Sequence, residues 1–127
     1  MNPYASPQAY RESSVLTASP EQLVVMLYDG VGRFLRQAEH LLREDMSYDQ
    51  AHERMNRGEA IIDELLATLD MDQGQIAERL QAIYIYCKRC LREARKDREG
   101  EKIRLVIRLL GELREAWSHV ATAGVTA

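Results

Sequence analysis

The middle of this chain of 127 residues carries an apolar series spaced alternately by four and three positions. Two turns of α-helix take about seven residues, so this spacing forms one straight seam along a helix that packs lengthwise against other helices. The pattern predicts a helix that starts near Ser47, where Ser47 and Gln50 have capping-box spacing, and that ends at a turn over residues 70–74. The seam comprises Ala51, Met55, Gly58, Ile62, Leu65 and Leu69.

The segment before this helix contains a complete helix start. Ser19 can cap the first turn, Pro20 suits the first helical position, and Gln22 completes a capping box. Six apolar residues follow without a break, whereas a surface helix normally shows a single apolar stripe. We expect a core stripe and an off-seam pair, Val25 and Met26. The core stripe begins with Leu23, Val24, Leu27 and Tyr28.

Two further helices complete the pattern, so we predict an all-α, antiparallel up-down four-helix bundle with helices near 20–44, 47–69, 75–96 and 101–120. In the third helix, Ile85 points away from the seam and Tyr86 lies on its flank. In the fourth, Leu105 and Leu109 widen the apolar face beyond the seam. The predicted third seam contains Ile76, Leu80, Ile83, Cys87, Leu91 and Ala94, and the fourth contains Ile103, Val106, Ile107, Leu110, Leu113, Trp117 and Val120.

The ends of the chain lack this helical periodicity. Residues 1–18 carry two of the three prolines, and we predict that they form a mobile N-terminal arm. A short extra helix within this arm is the alternative. The bundle domain then covers residues 19–121, and residues 122–127 form a flexible tail. The N-terminus has neither the basic nor the apolar part of a secretory signal, and no apolar run reaches the about 20 residues of a membrane span, so we expect a cytoplasmic protein without membrane insertion.

No pattern of catalytic or metal-binding residues emerges. Cys87 and Cys90 have the CxxC spacing, but they lie in mid-helix without a preceding strand or a second pair, so Cys87 is interpreted as a core thiol. The three histidines lack the partners that helical metal motifs require. We therefore predict no enzyme, no metal and no cofactor.

The charge distribution leaves a second function class open. Nine basic and four acidic residues lie between Lys88 and Arg108, although the formal net charge of the chain is −3. This basic end could belong to a regulatory helical module that binds nucleic acid or another protein. The alternative is that these charged side chains form an ordinary solvated helix face. The interleaved acids and the negative net charge argue against a nucleic-acid partner.

Several blocks of the chain resemble the flagellar export chaperone FliS family. They are T-A-S-P-E-Q-L-V-V-M-L-Y-D-G at 17–30, A-I-I-D-E-L-L-A-T-L-D at 60–70, G-Q-I-A-E-R-L-Q-A-I-Y-I-Y at 74–86 and L-L-G-E-L-R-E-A-W at 109–117. The resemblance implies a small cytoplasmic bundle that uses no ATP. Such proteins bind the disordered C-terminal segment of flagellin, prevent its premature polymerisation and assist its delivery to the export apparatus. Ile85 and Cys90 depart from the family pattern, which often has an acid and an arginine there.

The off-seam residues supply candidate flagellin contacts, with packing against the arm or each other as the alternative. Tyr10 matches a tyrosine that the family uses in the arm. Our hypothesis is that Tyr10, Val15 and Leu16 cover a groove in the free protein and that flagellin displaces them. An export-gate component or an antagonist protein as a second partner, and a homodimer of the free chain, stay open. The candidate flagellin-binding residues are Tyr10, Val25, Met26, Ile85, Tyr86, Leu105 and Leu109.

Overall fold

A computed structural model describes residues 18–98 and 100–126, and the side chains of all of these except 97 and 120–126. Four long helices follow one another: α1 (Pro20–His40), α2 (Tyr48–Thr68), α3 (Gln75–Asp97) and α4 (Glu101–Thr126). A π-helical turn (Leu41–Asp45) extends α1, and a 3-10 turn (Met71–Gln73) separates α2 from α3. No strand occurs within these ranges. The all-α helical bundle is therefore confirmed.

The first helix starts as its sequence predicts. The Gln22 amide donates to Ser19 Oγ at 3.2 Å, and the Ser19 amide donates to Gln22 Oε1 at 2.8 Å. These two hydrogen bonds form the capping box, in which each side chain satisfies a backbone donor that the first helical turn leaves unpaired. Ser19, Pro20 and Gln22 thus set where α1 begins.

The capping box predicted for Ser47 and Gln50 is wrong, although α2 does begin at Tyr48. Ser47 makes no side-chain cap to the helix. The reason lies in the preceding turn, where Met46 adopts a left-handed conformation with φ 49° and the Ser47 amide donates to the Leu41 carbonyl at 3.0 Å. That bond leaves Ser47 with ψ 80° instead of the fully extended backbone of an ordinary N-cap.

The helices pack in a square. α1 lies close to both α2 and α4, while α3 approaches the same two helices less closely with its backbone, so α1 and α3 stand at opposite corners. Close approach of α1 and α2 depends on small residues. A Cβ atom added to Gly58 would lie 2.9 Å from Leu35 Cδ2, and one added to Gly30 would lie 3.0 Å from Ile61 Cδ1.

Among the predicted seam residues whose side chains are described, two at helix ends are exposed, and the side chain of Val120 lies outside the described part. Ile76 is 69% exposed and Leu23 is 37% exposed, so their assignment to the core is wrong. Both lie in the first turns of their helices, and at the level of Ile76 the neighbouring α2 has already ended. Conversely, Tyr84 and Cys90 are buried although neither was assigned to the third seam. The predicted second seam is buried from Ala51 through Leu65, and Leu69 is half-buried.

At the other end of the chain, α4 continues to Thr126. The helix therefore extends into the segment 122–127 that the sequence assigned to a tail, and the division into arm, bundle and tail stays a prediction. Tyr10, Val15 and Leu16 lie outside the described residues.

Candidate functional site

One end of the bundle carries an open apolar cavity of about 180 Å³, which we call the end groove. It lies where α1 and α3 begin, where α2 ends and where α4 approaches its C-terminus. Thr68, Asp70 and Gln73 supply its polar rim. Its apolar lining consists of Val24, Leu69, Ile76, Ala77, Leu80, Tyr84 and Trp117.

Tyr84, which lines the end groove, is held in place by a second buried tyrosine. The hydroxyls of Tyr28 on α1 and Tyr84 on α3 share a hydrogen bond across the diagonal of the bundle, with ring centroids 6.3 Å apart. Burial raises the pKa of both phenols above the ordinary tyrosine value, and a side-chain hydrogen bond with Trp117 partly opposes this for the pKa of Tyr28. Both side chains are therefore neutral near pH 7, and Tyr84 adds no charge to the lining of the groove.

A second apolar surface, the α3–α4 face, is formed by Ile85, Tyr86, Leu105 and Leu109. The alignment of its two helices is fixed by an ion pair in which Lys102 Nζ lies 2.7 Å from Glu93 Oε2. Leu105 and Leu109 follow Lys102 by three and seven residues and so share its side of α4.

Tyr86 precedes Glu93 by seven residues and so faces the same boundary from α3. Ile85 and Tyr86 are 49% and 40% exposed. Leu105 and Leu109 are half-buried and contact the core from the side. The Arg89 guanidinium lies over the Tyr86 ring, 6.0 Å from its centroid. The structure thus brings four of the seven candidate flagellin-binding residues onto one surface.

The candidate pair on α1 lies elsewhere. Val25 is half-buried and Met26 is exposed. Val25 precedes Asp29 by one turn, and Asp29 Oδ1 accepts a hydrogen bond of 2.9 Å from Arg114 Nε on α4. Val25 therefore faces the α1–α4 boundary, while Met26 points away from both neighbours. Since α1 and α3 stand at opposite corners, this pair does not join the α3–α4 face.

The sequence missed the end groove, because Ile76 and Trp117 fit the predicted seams. The signal that could have found it is position along the helix. Ile76 is the second residue of α3, whereas α2 already ends at Thr68, so the seam of α3 begins beyond the part of α2 that could cover it.

Ion pairs account for much of the basic segment between Lys88 and Arg108. Acids on α1 and α2 contact three of its cations, with nitrogen–oxygen distances of 2.6 to 3.0 Å. The Arg98 guanidinium lies over the Tyr48 ring at 4.8 Å. This pairing lowers the field available to nucleic acid. The three pairs are Lys88–Asp63, Arg95–Glu59 and Arg104–Glu39.

The two cysteines are free and buried. Burial raises the pKa of the Cys87 thiol to about 12, so it remains protonated and unreactive near neutral pH. Within the described ranges, no group of three or more His, Cys, Asp or Glu side chains is placed to hold a metal ion. None of the described helices combines the length and the apolar character needed to cross a membrane.

Comparison with known proteins agrees with the resemblance seen in the sequence. Residues 2–124 match the family described as flagellar protein FliS. The flagellar secretion chaperone FliS of Salmonella typhimurium is 36% identical over 87% of this chain and 82% of its own length. The protein of the same name from Bacillus subtilis is 31% identical over 93% of this chain and 85% of its own length. The family resemblance is confirmed, and the chain belongs to the flagellar protein FliS family.

Proposed function

We propose that this chain is a cytoplasmic secretion chaperone that binds the disordered C-terminal segment of flagellin. In this role it prevents premature polymerisation and assists delivery to the flagellar export apparatus. The observation that carries the proposal is the presence of two apolar surfaces on the bundle, the end groove and the α3–α4 face. The relatives are named as secretion chaperones, which is not an enzyme class, and the proposal includes no catalytic step.

The two surfaces suit a segment that folds as it binds. A disordered tail can form short amphipathic helices whose apolar sides lie in grooves of the bundle. Ordering the tail costs about 2–5 kcal/mol or more, so the apolar contact must be extensive. Two separate surfaces allow one tail to wrap around the bundle. The proposed contacts are Ile85, Tyr86, Leu105 and Leu109 on the α3–α4 face and Val25 and Met26 on α1.

We further propose that the arm regulates access to the end groove. The chain enters α1 at the same end of the bundle that carries the groove, and Val24 in the second turn lines it. Seventeen residues precede the described part, an extended reach of about 55 Å, which is ample to cross the groove. In the free protein, Tyr10, Val15 and Leu16 would cover apolar side chains that the flagellin tail later takes over.

A binding titration tests the main proposal. The full chain is titrated with a flagellin C-terminal peptide and, as the matched control, with the same peptide carrying Ser at its apolar positions. We expect saturable binding of the first peptide and at least a tenfold loss for the second. Equal binding of both peptides, or none of either, would contradict the proposal.

The role of the arm has its own test. Deleting residues 1–16 should raise the affinity for the flagellin peptide and increase binding of an apolar dye. If the deletion leaves both unchanged, the arm does not cover the groove.

The proposal includes two further kinds of partner, a second copy of the chain and a second protein. The exposed apolar side chains would let the free chain form a homodimer, and an export-gate component or an antagonist protein would bind as a second partner. Light scattering with and without the flagellin peptide tests the dimer, since the peptide should convert it to a one-to-one complex. A dimer that keeps both subunits when it binds the peptide would exclude a shared surface.

A further inference from the structure

The outer side of α3 carries a straight row of exposed side chains. Ile85, Arg89, Arg92 and Lys96 are spaced by four, three and four residues, which places them one above another on a single side of the helix. All four are exposed. We call Arg89, Arg92 and Lys96 the basic row. It covers about 10 Å along the helix and continues directly from the exposed Ile85.

The basic row differs from Lys88 and Arg95, two other cations of α3, in its partners. Lys88 and Arg95 face α2, where they contact Asp63 at 2.6 Å and Glu59 at 2.9 Å. By contrast, neither Arg92 nor Lys96 makes an ion pair with any residue in the described part of the chain. Among the described side chains, the positive charge of α3 is therefore paired with acids on the α2 side and has no such partner on the outer side.

No acid whose side chain the structure describes forms an ion pair with this row. Glu93 is half-buried on the α4 side of α3, and its carboxylate is held by Lys102 on α4 at 2.7 Å. Glu78 lies about two turns before Ile85, beyond the other end of the row. Arg89 is oriented over the Tyr86 ring and so connects the row to the α3–α4 face.

The two edges of the α3–α4 face consequently differ in charge. The α3 edge is the basic row. The α4 edge is mixed, because Glu101, Arg108 and Glu112 are all exposed there. A helix lying on this face would meet apolar side chains beneath it and cations along one side only.

We propose that the α3–α4 face binds an amphipathic helix of the flagellin tail whose carboxylates lie along the basic row. The inference rests on the proposed function and adds the charge pattern of the client helix, which is apolar beneath and acidic on the side towards α3. Acids three or four residues apart on that helix match the spacing of Arg89, Arg92 and Lys96. Exposed Ile85 and Tyr86 beside the cations favour an amphipathic protein segment over nucleic acid.

Charge reversal on the full chain tests the inference. The variant Arg92→Glu/Lys96→Glu changes two exposed residues that form no ion pair with a described side chain, and it leaves the apolar contacts intact. The matched control, Arg33→Glu/Arg36→Glu, makes the same change in net charge on α1, the helix diagonal to α3. Each protein is titrated with the flagellin C-terminal peptide at 50 and 500 mM NaCl, and circular dichroism melts show that all of them are folded.

We expect wild-type and control affinities to fall together as salt rises. The Arg92→Glu/Lys96→Glu variant should bind about tenfold more weakly at 50 mM NaCl and lose most of that salt dependence. A peptide with every Asp and Glu changed to Asn and Gln should bind wild type more weakly, yet bind the variant about as well as the unmodified peptide does.

The outcomes separate this inference from the function on which it rests. If wild type binds the peptide and the variant has the same affinity and salt dependence, the basic row does not contact the client, while the chaperone function stands. If wild type does not bind the peptide, both fail. A labelled oligonucleotide that binds wild type at 150 mM NaCl but not the variant would assign the row to nucleic acid and overturn the inference.

Discussion

Tyr28 on α1 and Tyr84 on α3 join opposite corners of the bundle through a hydrogen bond between their hydroxyls, and both side chains are almost completely buried. The pair is polar, its Tyr84 lines the end groove, and it links two helices whose backbones make little other close contact. Because each hydroxyl satisfies the other, removing one leaves a buried polar group with reduced hydrogen bonding.

Tyr84→Phe should lower the free energy of unfolding by about 1–2 kcal/mol, since it removes the partner of the Tyr28 hydroxyl. Urea denaturation at pH 7 measures the change. Tyr48→Phe is the matched control, because the Tyr48 hydroxyl makes no hydrogen bond within the described ranges, and it should stay within about 0.5 kcal/mol. The double variant with Tyr28→Phe should lose less than the sum of the two single changes. Strict additivity would show that the two hydroxyls are energetically independent.

Stability should fall in alkaline solution. The pKa values of Tyr28, Tyr84 and Cys87 are raised by burial, so the folded chain keeps protons that the unfolded chain releases above about pH 9–10. Where the unfolded state binds fewer protons, the free energy of unfolding decreases as pH rises. Urea midpoints between pH 7 and 11 should be level at first and then decline. A smaller decline in Tyr84→Phe than in wild type would trace part of it to this phenol, and a flat profile to pH 11 would contradict the effect.

Glu39 is a nearly buried carboxylate, with Arg104 Nη1 at 3.0 Å and Arg43 Nη1 at 3.3 Å. Glu39→Gln should destabilise the bundle by about 1 kcal/mol, because both arginines lose a charged acceptor. Glu53→Gln provides the control, since Glu53 is exposed and its ion pairs lie at the surface, where such pairs contribute less than about 1 kcal/mol. Thermal melts of both variants measure the difference. Equal effects would mean that the burial of Glu39 adds nothing to its ion pairs.

Two glycine substitutions should have opposite signs. Gly58→Ala places a Cβ atom 2.9 Å from Leu35 Cδ2 in the closed α1–α2 contact, and the resulting overpacking should cost about 1 kcal/mol or more net. At Gly111 nothing lies within 4 Å of the added Cβ, so Gly111→Ala should stabilise α4 by about 0.5–1 kcal/mol. Urea denaturation distinguishes them. Stabilisation by Gly58→Ala would show that α2 can shift without loss.

The end groove can be tested without disturbing the core. Ile76 is 69% exposed at the groove, and Met46 is 66% exposed at the opposite end of the bundle. Ile76→Ser should leave the melting temperature nearly unchanged while weakening flagellin-peptide affinity about tenfold, a typical loss for one well-placed apolar contact. Met46→Ser should affect neither. Comparable affinity for the two variants would exclude Ile76 from the client surface.

The sequence alone predicted the fold correctly where it shows a capping box or an apolar seam along a single helix. The capping box at Ser19 and the seam from Ala51 to Leu65 depend on spacing along one helix, which can be counted directly. Whether Ile76 is buried depends on where α2 ends, and the spacing of residues within α3 carries no information about that. The buried position of Tyr84 likewise follows from the distant Tyr28, which supplies its hydrogen bond.

For the candidate surfaces, too, the position of a residue on its own helix was predictable, whereas contacts between helices were not. Off-seam positions correctly placed Ile85 and Tyr86 outside the core, and they identified Leu105 and Leu109 as edge residues. That these four residues share one face follows from the ion pair between Lys102 on α4 and Glu93 on α3, which only the three-dimensional structure shows. The basic row was part of a larger basic segment in the sequence, and only the partners of Lys88 and Arg95 separate the neutralised cations from the exposed ones.

The part that α3 takes in both apolar surfaces has a consequence for local opening of the bundle. α3 contributes Ile76, Ala77, Leu80 and Tyr84 to the end groove and Ile85 and Tyr86 to the α3–α4 face. A client bound to both surfaces would hold α3 against its neighbours, so the amide hydrogens of α3 should exchange with solvent more slowly in the complex than in the free chaperone.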